Sequence, residues 1–131
     1  MGSSSSSDLK ATLKPYLDQF ARSTEAASVE DSMKVLHPQA VFIERSKSAT
    51  FGKDALTKMF KEWYEFTGPY VFEKSDDKYT GSADNYIINE AKMSLLKVKD
   101  KSLILRGEVM HIWKKENDKW FLFYEQFHVL E

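Results

Sequence analysis

Apolar positions recur at helical spacing through the first half of the chain and alternate through the last third. Leu9, Leu13, Leu17 and Phe20, with Tyr16 beside them, form one stripe at intervals of three and four and predict a helix over 9–27. Pro15 falls inside it. A helix that begins near Thr12 holds Pro15 in its first turn, where the missing N–H costs nothing; one that begins at Asp8 kinks there. Ser28 and Asp31 resemble a capping box, and Val29, Met33 and Leu36 line one face of a second, short helix that His37-Pro38 ends. Residues 40–43 read as a short strand and 46–50 as a polar loop. Leu56, Met59, Phe60 and Trp63 predict a third helix over 53–66, stopped by Thr67-Gly68-Pro69. Tyr70 opens another extended segment, and 75–84 is polar with Gly81 at a bend.

The rest predicts a meander of three long strands over 86–96, 103–114 and 120–130, joined by polar links. At ~3.3 Å per residue such strands exceed about 30 Å and must twist or bend, and Gly107 marks a place for a bend or bulge. Parity sorts the last two strands. Leu103, Leu105, Gly107, Val109, His111 and Trp113 share a face with Phe121, Phe123, Glu125, Phe127 and Val129. Ile104, Arg106, Glu108, Met110 and Ile112 share the other with Trp120, Leu122, Tyr124, Gln126, His128 and Leu130. A turn centred at Asn117 sets His128 opposite Arg106, Gln126 opposite Glu108 and Tyr124 opposite Met110. One face is almost wholly apolar and the other mixed, so both need cover. Helices cover one, and a second copy of the chain is expected on the other.

Composition narrows the function classes. With 131 residues, 42% of them hydrophobic, the chain suits one globular domain over 8–131, residues 1–7 being a disordered tail or cloning scar. The net charge of -1 gives no basic excess for nucleic acid, so no nucleic-acid partner is expected. Without cysteine there is no disulfide, thiolate nucleophile or sulfur-bound metal. No apolar run approaches the ~20 residues that span a bilayer, so no membrane association and a cytoplasmic location are expected. The three histidines are widely spaced and no phosphate-binding glycine loop, dinucleotide fingerprint or serine elbow occurs. Neither a metal nor a cofactor is expected.

Three stretches carry a resemblance. Leu36-His37-Pro38-Gln39-Ala40-Val41-Phe42 runs from a short helix into a strand, Gly52-Lys53-Asp54-Ala55-Leu56 opens a helix, and Met110-His111-Ile112-Trp113-Lys114-Lys115 leads on to Lys119-Trp120. In order and spacing, over roughly residues 9–130, they resemble the NTF2-like superfamily and within it the SnoaL-like and DUF4440-like group. The resemblance implies an α+β, cone-shaped, cystatin-like fold. In it, N-terminal helices pack on a curved antiparallel β-sheet and enclose a pocket, often in a homodimer through the convex sheet. It implies little about chemistry, because the superfamily includes isomerases, cyclases, dehydratases, transport factors and kinase association domains.

Two residues become candidates through that resemblance. Glu44 falls near the catalytic aspartate of ketosteroid isomerase-like members, and a carboxylate at a dry pocket mouth can act as general base. The chain reads Ile43-Glu44-Arg45 there, so Arg45 also offers Glu44 an ion pair. Tyr16 lies near the isomerases' oxyanion-hole tyrosine; its ordinary role is the rim of a core. On the mixed face, Arg106, Glu108, Tyr124, Gln126 and His128, with Glu90, either line the pocket and orient a polar ligand or form a cross-strand ladder. His128 is the acid–base candidate among them. Trp63 and Tyr86 are aromatic candidates for an apolar pocket wall. The expectation is a homodimer binding a small, largely apolar ligand. The alternatives are an isomerase, dehydratase or cyclase using Glu44, His128 and Tyr16, and a protein–protein adaptor domain.

Overall fold

The computed structural model describes residues 5–130. Helix α1 spans Ser6–Glu25, α2 Val29–Val35, β1 Leu36–Glu44, β2 Ser48–Phe51, α3 Lys53–Thr67, β3 Tyr70–Gly81, β4 Tyr86–Lys97, β5 Leu103–Glu116 and β6 Lys119–Val129. The expectation of a tail over residues 1–4 lies outside the described residues. Ser5–Ser7, assigned to that tail, instead start α1: Ser5 Oγ accepts the Asp8 N–H at 3.2 Å, and Ser6 Oγ accepts the Tyr79 N–H at 2.9 Å. The helix runs unbroken through Pro15, fastened by its apolar stripe rather than by a complete hydrogen-bond ladder. Ser28 caps α2 by accepting the Asp31 N–H at 3.1 Å. Gly68, at φ 66°, ends α3 in the left-handed region, and Pro69 prevents its continuation.

The six strands form one curved sheet in the order β2-β1-β6-β5-β4-β3. It is mixed rather than wholly antiparallel, because β1 runs parallel to β6. Leu36 to Gln39 already belong to β1, and residues 48–51, expected in a loop, pair with β1 as a short edge strand. Polar 75–81 likewise continues β3. From the β2 edge the chain crosses through α3 to β3 at the opposite edge, which lays α3 over the sheet.

The helices cover the apolar face, and the sheet core is Leu95, Leu105, Val109, Trp113, Trp120 and Leu122, packed against Leu9, Leu13, Leu56 and Phe60. Burying a side chain of this size contributes about 1.5–3 kcal/mol relative to exposure. No helix among the described residues is long and apolar enough to cross a membrane.

The β5–β6 register differs from the expected one. Asn117 and Asp118, both at positive φ, make a two-residue turn that pairs Glu116 with Lys119. That turn sets Trp113 opposite Leu122, so Trp120 and Leu122 join the covered face and Phe121 leaves it. A register shift at Phe123 then restores the like-with-like sets, now with Glu108 opposite His128 and Met110 opposite Gln126. Gly107 sits at no register shift. A Cβ there would lie 2.3 Å from the His128 carbonyl oxygen, so the glycine serves close approach of two backbones.

Candidate functional site

Between α3, β1, β2 and the covered face of the sheet lies a cavity of about 340 Å³. Its walls are apolar and largely aromatic: Phe20, Phe42, Met59, Phe60, Trp63, Tyr70, Phe72 and Phe127, with Met93 and Leu95 beneath. Its polar lining is Glu44, Ser48, Thr50, Glu62 and Glu125. Phe66, 69% exposed, stands at the mouth beside Trp63. No lysine or arginine lines the cavity, so its field favours neutral or cationic groups.

One row of polar residues crosses the otherwise apolar inner face. Tyr79 of β3 is paired with Asn89 of β4, Asn89 with His111 of β5, and His111 with Glu125 of β6. His111 and Glu125 close into a dyad, Nε2 to Oε1 at 2.6 Å, with the two side chains 2% and 12% exposed. With the carboxylate accepting, Nε2 carries the hydrogen, and Nδ1 has no partner among the described residues. Phe20 and Phe72 pack against the imidazole at 6.2 Å each. Glu125 thus presents a carboxylate to the cavity with its imidazole partner behind it. The shift at Phe123 is what places it there: the register set by the turn alone would face Glu125 outward and Gln126 inward.

Tyr70 supplies a hydroxyl to the same wall, accepting from Trp63 Nε1 at 3.2 Å. Burial, and secondarily the neighbouring Tyr64, push its ionisation far above the usual tyrosine range, so it remains a neutral donor. Behind it the Tyr64 hydroxyl shares a hydrogen bond with Ser32 Oγ at 2.6 Å, and Ser32 donates to Ser23 Oγ at 3.0 Å. This buried chain ties the three helices together and fixes the side of α3 that faces the cavity.

Of the residues singled out from sequence, Glu44 and Trp63 line the cavity. Glu44 pairs with Lys47 at 3.3 Å rather than with Arg45. Tyr16 packs half-buried against the core and does not line it. Arg106, Glu108, Tyr124, Gln126, His128 and Glu90 lie on the outer face, because the helices cover the more apolar face and strand alternation sends the mixed set away. There Glu90, Glu108 and Gln126 edge a shallow groove with Lys78 and Lys92, and the Tyr124 hydroxyl donates to Gln126 Oε1 at 3.0 Å. Tyr86 is exposed at the start of β4, its ring 6.3 Å from that of Phe123. His37 is buried at the α2–β1 junction; its Nδ1 accepts the Gln39 N–H, so Nε2–H donates to Glu116 at 2.6 Å. Glu125 and Tyr70 were not singled out. The signal for Glu125 was available, since it is the one carboxylate on the apolar face of β6. No group of three or more possible metal ligands occurs among the described residues.

Solved structures share this arrangement closely. A protein of unknown function with a cystatin-like fold from Nostoc punctiforme superposes with a TM-score of 0.78 at 18% identity, over 92% of this chain and 90% of that one. A candidate dehydratase of the NTF2-like family from Streptomyces avermitilis gives 0.78 at 10% identity, over 96% and 99%. The fold is NTF2-like. A protein from Catenulispora acidiphila in complex with S-DNPA gives 0.78 at 12% identity over 94% of each chain. No family model matches the sequence, and no curated protein matches it. At these identities the NTF2-like likeness concerns the fold and leaves the chemistry to the site itself.

Proposed function

We propose that this NTF2-like protein binds a small, largely apolar molecule in its cavity, as a homodimer joined through the outer face of the sheet. The observation that carries the reading is a sheltered aromatic cavity with a few placed polar groups at one side. Its volume of about 340 Å³ falls in the range of small-molecule sites, about 300–1,000 Å³. Phe42, Phe60, Trp63 and Phe127 supply affinity through apolar contact, and Glu44, Glu125 and the Tyr70 hydroxyl orient a polar end. Three carboxylates line the cavity and no lysine or arginine does, the partners of Glu44 and Glu62 being the solvent-exposed Lys47 and Lys58, so the cavity selects a neutral or cationic ligand that donates hydrogen bonds. That the Catenulispora acidiphila protein of the same fold is solved with S-DNPA agrees with a ligand-holding role.

Dimerisation is supported by the outer face, where Met110, Ile112, Phe121 and Tyr124 stay half-buried with no helix above them. Native mass spectrometry tests both halves at once. A dimer that releases a defined small-molecule mass on denaturation supports the reading. A monomer that also leaves neutral aromatic probes unbound, judged by Trp63 fluorescence, refutes it.

A second reading is favoured by the His111–Glu125 dyad. A carboxylate held by a buried imidazole and facing an apolar cavity can abstract a proton, with the neutral Tyr70 hydroxyl stabilising the resulting enolate. Glu44 is the alternative base. Turnover of an enolisable aromatic ketone, lost in Glu125→Gln and kept in Glu44→Gln, would establish catalysis by Glu125.

A further inference from the structure

On the other side of Phe20 and Phe72 lies a second concavity, a cleft of about 450 Å³ between α1 and the β3 end of the sheet. Its floor holds Lys74, Tyr79 and His111, and Leu17, Phe20 and Phe72 form its apolar wall. Lys74 is unlike the other lysines there. Lys10 pairs with Asp77 at 3.1 Å and Lys14 with Asp18 at 3.1 Å, but Lys74 Nζ donates only to uncharged oxygens, Asn89 Oδ1 at 2.9 Å and Tyr79 Oη at 3.3 Å. Asn89 is wholly buried, and its Nδ2 donates to the Lys78 carbonyl at 3.2 Å.

An ammonium has three donors, so one N–H of Lys74 is left over beside the cleft. Asp77 acts on Lys74 only at a distance, its own bond going to Lys10, and a cation withdrawn from water with no anion bonded to it is costly, so a bound anion would offset that cost. The β3 irregularity between Ser75 and Lys78 builds this arrangement. One extra residue turns Tyr79 onto the same face as Lys74, where it meets Asn89.

We propose that this cleft binds the carboxylate end of a small amphiphile, with Lys74 as its counter-ion and Leu17, Phe20 and Phe72 against its apolar body. Every charged or titratable group facing Lys74 can be named: Lys10, Lys14 and Asp18 from α1, Asp77 and Tyr79 from β3, and His111 from β5. Burial lowers the Lys74 ammonium to about 8, with Asp77 acting against that shift and Lys10 with it. Above that value, binding an anion at Lys74 must take up a proton, so affinity falls as pH rises. The acid-lined cavity predicts no such dependence.

The test is calorimetric titration of the full chain with sodium decanoate, sodium benzoate and decanol, alongside the NMR titration of the Lys74 Cε resonance. Decanoate or benzoate is expected to bind at least about tenfold more tightly at pH 7 than at about pH 9.5 and to raise the Lys74 midpoint. Lys74→Met is expected to lose at least about tenfold in affinity, and Lys74→Arg to bind without the pH dependence. A preference for decanoate assigns an alkyl chain, and for benzoate an aryl acid; either supports the site. Decanol binding as well as decanoate, affinity unchanged in Lys74→Met or between the two pH values, or no carboxylate binding up to about 10 mM would overturn it. The wild-type pH series decides the matter if neither variant folds.

Discussion

The cavity under α3 and the cleft under α1 share two side chains, Phe20 and Phe72, and carry opposite charge. One is lined by Glu44, Glu62 and Glu125 and by no cation; the other by Lys10, Lys14 and Lys74, with Asp18. They sit at the two ends of one polar row, Tyr79–Asn89–His111–Glu125, across an apolar sheet face. In each, a register irregularity does the placing. The shift at Phe123 turns Glu125 inward, and the extra residue in β3 turns Tyr79 inward beside Lys74. Two bulges, more than net composition, give this face its chemistry.

The largest effect should come from shifting the register that one of those bulges sets. Inserting one alanine between Tyr124 and Glu125 moves everything beyond it by one position, so Gln126 faces the core and Glu125 and Phe127 face outward. Exposing Phe127 and burying Gln126 without its partners should cost more than about 4 kcal/mol, read as a fall in the urea midpoint. A variant that keeps wild-type stability would show that the register beyond Phe123 does not set the inner face. Next in size is Glu125→Gln. It removes the charge-assisted bond to His111, worth about 1.5–3 kcal/mol, and should weaken cavity ligands without moving the Lys74 titration. A change in that titration would mean that the two concavities are electrostatically one site.

Lys74→Met breaks the comparison from the other end. The folded ionisation of Lys74 lies near 8, below its ordinary value of 10.5, so between these values the unfolded chain binds more protons. Wild-type stability therefore rises with pH across that window: the penalty is full below about 8 and gone above about 10.5. Urea unfolding should show the stability gap between wild type and Lys74→Met shifting by about 1–3 kcal/mol from pH 8 to 10.5. A gap constant across the window would mean that Lys74 is no more desolvated folded than unfolded.

These features differ in how far they could be read from residues. Helical stripes such as Leu9–Leu13–Leu17–Phe20 and the stop at Gly68-Pro69 are local, and the structure follows them. Strands β2 and polar 75–81 were missed, because their extended form comes from pairing with β1 and β4 rather than from their own alternation. The parity set of β5 was legible, and that of β6 from Tyr124 onward, but Trp120, Phe121 and Leu122 fall on the faces opposite to those expected. The pairing was not legible, since Asn117-Asp118 as a two-residue turn and Phe123 as a bulge compensate each other and leave the alternation nearly unmarked. Which face the helices cover turned on that balance. In the sequence Glu125 is therefore one carboxylate on an apolar face, with nothing local to show that it meets a cavity.

The smallest expected effect separates ligand selection from stability. Glu44 stands at the cavity mouth, its carboxylate one-quarter exposed and 3.3 Å from Lys47, itself mostly in solvent. A pair so placed contributes at most about 1 kcal/mol, so Glu44→Gln should change stability by less than about 0.5 kcal/mol. Its effect on the cavity's field is separable from that. Glutamine keeps the size and an acceptor oxygen but removes a charge. A cationic aromatic probe should therefore lose affinity about threefold to tenfold while a neutral probe of the same shape is unaffected. The contrast should shrink with added salt, because the mouth is open to solvent. Equal loss for both probes would make Glu44 a shape element of the cavity rather than a source of its charge, leaving Glu62 and Glu125 as the carboxylates that distinguish the cavity from the lysine cleft behind it.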